Sequence, residues 1–301
     1  MTYDPALPPG FQARRVEVDG VGIHLVCGGD PRAQALLLLH GHPQTHAIWH
    51  LVAPRLAERF FVVAADLRGY GDSDKVLGPL DHSAHSKRAM AHDQVGVMRA
   101  LGHARFLLCA HDRGARVGHR LCLDHPEAVE KAVLLDIAPT LAMYEQTTMA
   151  FARAYWHWFF LIQPEPLPER MIGADPAFYV RQVMSRGSKG LDVFAPEALA
   201  EYLRCAGLPG TIHAFCEDYR AGRHPRPGSG PPGPGPGAAR GLPSPRILGR
   251  RGRGRAVLRP PGHLAPVRGG RGWPGAALRA LRPRRGAGAA PREVEHFLLG
   301  P

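Results

Sequence analysis

Phe106-Leu107-Leu108-Cys109-Ala110-His111-Asp112-Arg113-Gly114-Ala115-Arg116 joins an apolar run to a charged corner and then to a stretch with helical spacing. A short apolar run bounded in this way reads as a buried strand, and the change of period at His111-Asp112 marks a strand–turn–helix unit. That is the setting of a nucleophile elbow, whose central side chain is held on a sharp turn above the end of a sheet. Here the central residue is Asp112, where serine is the commoner occupant, and the difference fixes the chemistry. A serine that attacked a saturated carbon would form an ether, which water does not open. A carboxylate forms an ester, whose carbonyl water can hydrolyse. The stretch therefore implies displacement of a leaving group from an sp³ carbon.

Outward from the elbow, strand and helix patterns alternate. Val16 to Val26 reads as a hairpin around Asp19-Gly20, and Ala35–Leu39, Phe60–Ala65 and Ala132–Leu135 read as buried strands. Lys87 to Leu101 has helical spacing, with Met90, Val95, Val97 and Leu101 apolar. Strands separated by helices imply a mostly parallel sheet covered on both faces, an α/β fold. From Thr140 to about Cys216 aromatic residues crowd in without a strand run, which suits a helical insertion closing over the sheet edge. The expected organisation is a core over 1–139, a helical lid over 140–216 and the remainder of the core over 217–301.

The 301 residues, 45% of them hydrophobic, are enough for a sizeable core. No stretch reads as a signal peptide or approaches membrane-spanning length. The cysteines (Cys27, Cys109, Cys122, Cys205, Cys216) are odd in number and form no CxxC pair, against a disulfide framework or zinc site. A reducing, cytoplasmic setting is expected. No phosphate-cradling glycine loop or metal-spaced cluster stands out, so neither cofactor nor metal is expected. His82, His85, His92 and His103 are dispersed and read as surface residues.

The formal net charge of +12 is unevenly distributed. Residues 224–301 hold 15 Arg, no Lys and two acidic residues, whereas the rest carries 23 basic against 24 acidic residues. Between Pro225 and Gly288 the chain is mostly Arg, Gly, Pro and Ala, with no apolar period. One reading is a disordered basic tail, which could bind nucleic acid, although such tails interleave aromatics and Trp273 is nearly alone. Another is that G+C-rich codons are read here in a shifted frame. A one-base shift permits Trp-Gly-Ala-Glu-Gly over Leu248 to Gly254, Phe-Asp-Pro-Leu within Arg255 to Val267, and Cys-Gly-His over Leu281 to Arg284. An ordinary amphipathic pattern resumes near Pro291. On this reading the chain as it stands lacks the last two strands of its sheet. An unbroken frame confirmed by resequencing from Arg223 to Pro291 would refute the shift.

Four motifs carry a family resemblance: His40-Gly41-His42-Pro43-Gln44-Thr45, Asp66-Leu67-Arg68-Gly69-Tyr70-Gly71-Asp72-Ser73-Asp74, His111-Asp112-Arg113-Gly114-Ala115-Arg116 and Cys216-Glu217-Asp218-Tyr219-Arg220. Residues 1–223 resemble the α/β-hydrolase superfamily and, within it, the haloacetate (fluoroacetate) dehalogenases. The first two motifs are shared with epoxide hydrolases; the last two are the specific ones. The resemblance implies an α/β-hydrolase fold with a helical lid, and hydrolytic dehalogenation of a small 2-haloacid through an aspartyl ester. It implies Asp112 as nucleophile, with an N-capping aspartate as the structural alternative. It implies the backbone N–H groups of His42 and Arg113 as oxyanion donors, and Arg113 and Arg116 as holders of the substrate carboxylate. His157, Trp158 and Tyr219 would receive the halide, or else be lid-core aromatics. Asp136 would orient the general-base histidine, or else simply end a strand.

That histidine is missing from its expected place. Only His224, His263 and His296 follow, and His296-Phe297-Leu298 lies too late in the chain. Members of this family often pair into dimers. An epoxide hydrolase would share Asp112 but need lid tyrosines such as Tyr155 or Tyr219. A further class is an inactive hydrolase scaffold with a nucleic-acid-binding tail.

Overall fold

The structure is a computed structural model that describes residues 7–138, 140–185, 190–223, 246–251 and 254–258. Its strands are β1 (Gln12–Val18), β2 (Val21–Gly28), β3 (Ala35–Leu39), β4 (Phe61–Ala65), β5 (Phe106–His111), β6 (Val129–Leu135), β7 (Arg246–Arg251) and β8 (Gly254–Leu258). They form one sheet in the order β1-β2-β4-β3-β5-β6-β7-β8. Strands β4, β3, β5, β6 and β7 run parallel, while β1–β2, β2–β4 and β7–β8 are antiparallel.

Every residue of β3, β4 and β5 is buried. Alternate side chains feed two cores. Leu37, Leu39, Val63, Leu108 and Ala110 pack on one face; Leu36, Leu38, Val62, Leu107 and Cys109 pack on the other. Helix α1 (Ala53–Leu56) contributes Ala53 and Leu56 to the second face. Helices α2 (Lys87–Ala100) and α3 (Asp112–Asp124) cover the first with Met90, Val95, Met98, Val117 and Leu121. Among the described residues, no helix is long and apolar enough to cross a membrane, and the five cysteines are free and buried.

After β6 come α4 (Thr140–Glu145), α5 (Met149–Ala154), α6 (Trp156–Leu161), α7 (Leu167–Gly173), α8 (Pro176–Met184), α9 (Pro196–Ala206) and α10 (Thr211–Arg223). These helices occupy the segment expected to form a lid. The boundary drawn at 216 falls inside α10, so Asp218 and Tyr219 share a helix with the insertion.

The expectation of a sheet without its last two strands is corrected. β7 adds to β6 in parallel, with Lys131 opposite Arg246 and Leu135 opposite Arg250, and β8 returns along β7. An exposed sheet edge offers backbone N–H and C=O groups to any extended segment, whatever its side-chain pattern. Only Gly252-Arg253 joins β7 to β8. A parallel crossover needs a dozen or more residues, so the antiparallel return follows from that spacing. His85, expected at the surface, is also buried.

Candidate active site

In the sheet order, β4 lies on one side of β3 and β5 on the other. The chain reverses its direction of advance there, and the carboxyl ends of two such neighbours frame a crevice. His40-Gly41-His42 leaves β3 and His111-Asp112 leaves β5, so both sequence motifs meet at this point.

Asp112 begins α3 with φ +46°. A non-glycine residue in the left-handed region costs on the order of 1–3 kcal/mol and persists only where its surroundings enforce it. Asp112 thus sits on the elbow itself, and the N-cap position of α3 belongs to His111. Gly114 N–H donates to the His40 carbonyl at 2.8 Å, and a Cβ on Gly114 would lie 2.3 Å from that oxygen. A Cβ on Gly41 would lie 2.6 Å from Asp112 Cβ. Only glycine at these two positions lets the helix start and the β3 loop approach. The result is that His42 N–H donates to Asp112 Oδ1 at 3.1 Å. The backbone N–H expected as an oxyanion donor therefore points at an Asp112 oxygen.

Burial disfavours the charge on Asp112. His111, Arg116, the His42 N–H and Arg113 outweigh it and hold the carboxyl below the usual carboxylate range. Arg116 is 5% exposed. Its Nη1 donates to Ala138 O at 2.7 Å and Thr140 Oγ1 at 2.8 Å, and its guanidinium lies 4.7 Å from the Trp158 ring centroid. Its Nε is buried and has no hydrogen-bond partner among the described residues. Burial brings Arg116 down to about 10 despite Asp112, so it keeps its charge at neutral pH.

Arg113 is also buried beside Asp112, but its fork is turned to Asp218. Nε donates to Oδ2 at 2.8 Å and Nη2 to Oδ1 at 2.6 Å. The two arginines expected to act alike are therefore placed differently. Asp218 was not singled out in the sequence, although it lies inside a quoted motif. Its partners Arg113 and Lys87 are 105 and 131 residues away, so no local spacing marks it.

His157 and Trp158 on α6 and Tyr219 on α10 come together. Their ring centroids lie 5.9 Å apart for both His157–Tyr219 and Trp158–Tyr219, and His157 stacks on His42 at 6.1 Å. The Arg113 guanidinium lies 4.0 Å from the Tyr219 ring centroid. Asp136 follows β6 with φ +55°. Its carboxylate is 3.7 Å from His111 Nε2, too long for a hydrogen bond. Neither ring nitrogen of His111 has a hydrogen-bond partner among the described residues. His224, His263, His296 and the shifted-frame Cys-Gly-His segment lie outside the described residues.

Among the described residues, three groups have metal-ligand spacing: His24, His46 and Asp66; Asp72, Glu201 and Cys205; Glu165, Glu169 and His213. None includes Asp112 or Asp136. In the first, the Nδ1 atoms of His24 and His46 are spent on Asp66 at 2.9 and 3.0 Å; in the others Arg204 and Arg220 pair with the carboxylates.

The family described as alpha/beta hydrolase fold matches residues 34–197. A fluoroacetate dehalogenase from Burkholderia sp is 52% identical over 214 residues, 71% of this chain and 70% of the relative. A soluble epoxide hydrolase from Corynebacterium sp. (strain C12) is 33% identical over 208 residues, 68% of this chain and 70% of the relative. Among solved structures, an alpha/beta hydrolase from Nostoc sp PCC 7120 superposes with a TM-score of 0.68 at 54% identity, covering 70% of this chain and 72% of that one.

Proposed function

The chain belongs to the alpha/beta hydrolase fold family, and from that membership we propose that it hydrolyses the carbon–halogen bond of short 2-haloacids, taking haloacetate to glycolate and halide. Arg116 and Arg113 hold the substrate carboxylate. An Asp112 oxygen attacks the halogen-bearing carbon in line; the new C–O bond forms as the C–halogen bond breaks and the halide leaves with its electron pair. His157, Trp158 and Tyr219 receive it. Completing the hydrolysis needs water to attack the ester carbonyl with help from a histidine that Asp136 orients, the base a restored frame would bring, while the His42 and Arg113 backbone N–H groups meet the oxyanion. Glycolate departs and Asp112 is again a carboxylate.

The observation that carries this reading is the charge around the elbow. Arg113, Arg116 and Asp218 are buried beside the part-buried Asp112 and Lys87, and the Arg116 Nε has no partner among the described residues. A buried cationic donor with no acceptor is costly, and a substrate carboxylate would satisfy it. An epoxide carries no charge to do so. Halide release from chloroacetate, with no diol formed from styrene oxide, is the expected outcome; the reverse would establish an epoxide hydrolase instead. Arg116→Met is expected to raise the chloroacetate concentration for half-maximal first-turnover release about 100-fold, leaving uncharged chloroacetamide nearly unaffected.

Hydrogen bonds to a charged acceptor are worth about 1.5–3 kcal/mol each. They matter most for fluoride, the poorest leaving group. Trp158→Phe is therefore expected to slow fluoride release by about 10- to 100-fold and bromide release by much less, read as the ratio of first-turnover rates on fluoroacetate and bromoacetate. Equal slowing of both would remove Trp158 from this role. A cytoplasmic, reducing location belongs to the same proposal and is supported by five buried, unpaired cysteines. Pairing into a homodimer is tested by sedimentation, and nucleic-acid binding by salt-dependent RNA retention.

A further inference from the structure

Asp218 has no part in the reaction just described, yet Tyr70, Lys87 and Arg113 all converge on its carboxylate. It is fully buried on α10. Besides the two Arg113 bonds, Arg113 Nη2 donates to its backbone carbonyl at 2.7 Å, Tyr70 donates to Oδ2 at 2.8 Å, and Lys87 Nζ bonds Oδ1. Because the Tyr70 proton goes to Asp218, His42 Nδ1 has to be the donor in its 3.3 Å contact with the Tyr70 oxygen. His42 Nε2 then accepts from Tyr179, at 2.8 Å. The tautomer of His42, the residue whose backbone N–H faces Asp112, is thus set through Tyr70 by the same carboxylate.

A guanidinium is a rigid plane. With Nε and Nη2 engaged, its orientation is settled, and Nη1 is the nitrogen turned away from Asp218. Left without that partner, a buried Arg113 would turn its fork to another acceptor. We propose that Asp218 is a positioning residue: by holding the Arg113 fork it presents Nη1 alone to the substrate carboxylate, and so gives the site its preference for a small monoanionic acid. This rests on the reading that Arg113 and Arg116 bind that carboxylate. It also assigns the two arginines unequal parts, one clamped from behind and one with an unpartnered Nε.

The test uses the full 301-residue chain and measures first-turnover halide release against the concentration of chloroacetate and of chloroacetamide. Asp218→Asn keeps the shape and removes the charge. The double variant Asp218→Asn with Lys87→Met removes one charge of each sign, and so tolerates burial better. Circular dichroism checks that each folds. The expected result is a half-saturating chloroacetate concentration about 10- to 100-fold higher, with an unchanged rate at saturation and unchanged chloroacetamide kinetics, so the acid-over-amide preference falls by the same factor. A folded variant that keeps the parent preference overturns the proposal while leaving the dehalogenase reading intact. So does failure of both variants to fold, since Asp218 would then hold the fold rather than the binding. A parent chain that releases no halide overturns the dehalogenase reading itself, and the proposal with it.

Discussion

Asp112→Asn is expected to abolish halide release from chloroacetate, a loss of about 10⁴- to 10⁶-fold, the range seen when a nucleophile or its partner is removed. The substitution is unusually clean here. Asn is among the few residues that tolerate a positive φ, so the elbow at +46° is not disturbed. An amide oxygen lacks the charge that attacks carbon, and what would be lost is the nucleophile rather than the fold. Ion chromatography of released halide measures the loss, and a thermal melt shows that the chain remains folded. A variant that released halide at the parent rate would remove Asp112 from its role. The depressed acidity of Asp112 adds a pH expectation. A carboxyl held below its usual range stays ionised as pH falls through that range, so the first-turnover rate at saturating chloroacetate stays level from about pH 6 down to about pH 4, where an ordinary aspartate is already being protonated.

The second large effect concerns the other half of the reaction. The 301-residue chain is expected to release one halide per molecule and then stall, with a carboxymethyl group esterified to Asp112. Halide displacement needs only groups gathered at the elbow. Ester hydrolysis needs a base to activate water, and among the described residues the histidine beside Asp136 is His111, at 3.7 Å and next in sequence to Asp112. Restoring the shifted frame over about 224–290, which brings in Cys-Gly-His, is expected to raise turnover by about 10²- to 10⁴-fold, the usual worth of general base catalysis. Mass spectrometry of the peptide that carries Asp112, taken after the burst, reads the trapped ester directly. Steady turnover without a burst in the 301-residue chain would show that the missing base is not missing.

The legible parts of the sequence were those governed by local rules. The run Phe106–His111 followed by Asp112 and Gly114 obeys a spacing that sterics enforce, so the elbow could be read without partners. Ala35–Leu39 and Phe61–Ala65 were equally plain, because a strand buried on both faces is apolar throughout. His157, Trp158 and Tyr219 became site residues only by resemblance, since three aromatics on two helices look like any lid core until they are folded together. Asp218 and His85 stayed hidden because polar residues are buried only where distant partners or shape require it. β7 stayed hidden for another reason: Arg246-Ile247-Leu248-Gly249-Arg250-Arg251 pairs through its backbone, and backbone hydrogen bonds leave no trace in the residue pattern.

The direction of β8 decides where the polypeptide emerges. Leu258 stands level with Ile247, which is itself level with Ala132, so the main chain descends four residues, about 13 Å, below the rim that bears Asp136. Leu258 thus stands at the floor of the sheet, at the opposite end from the rim where the proposed ester would await a proton acceptor.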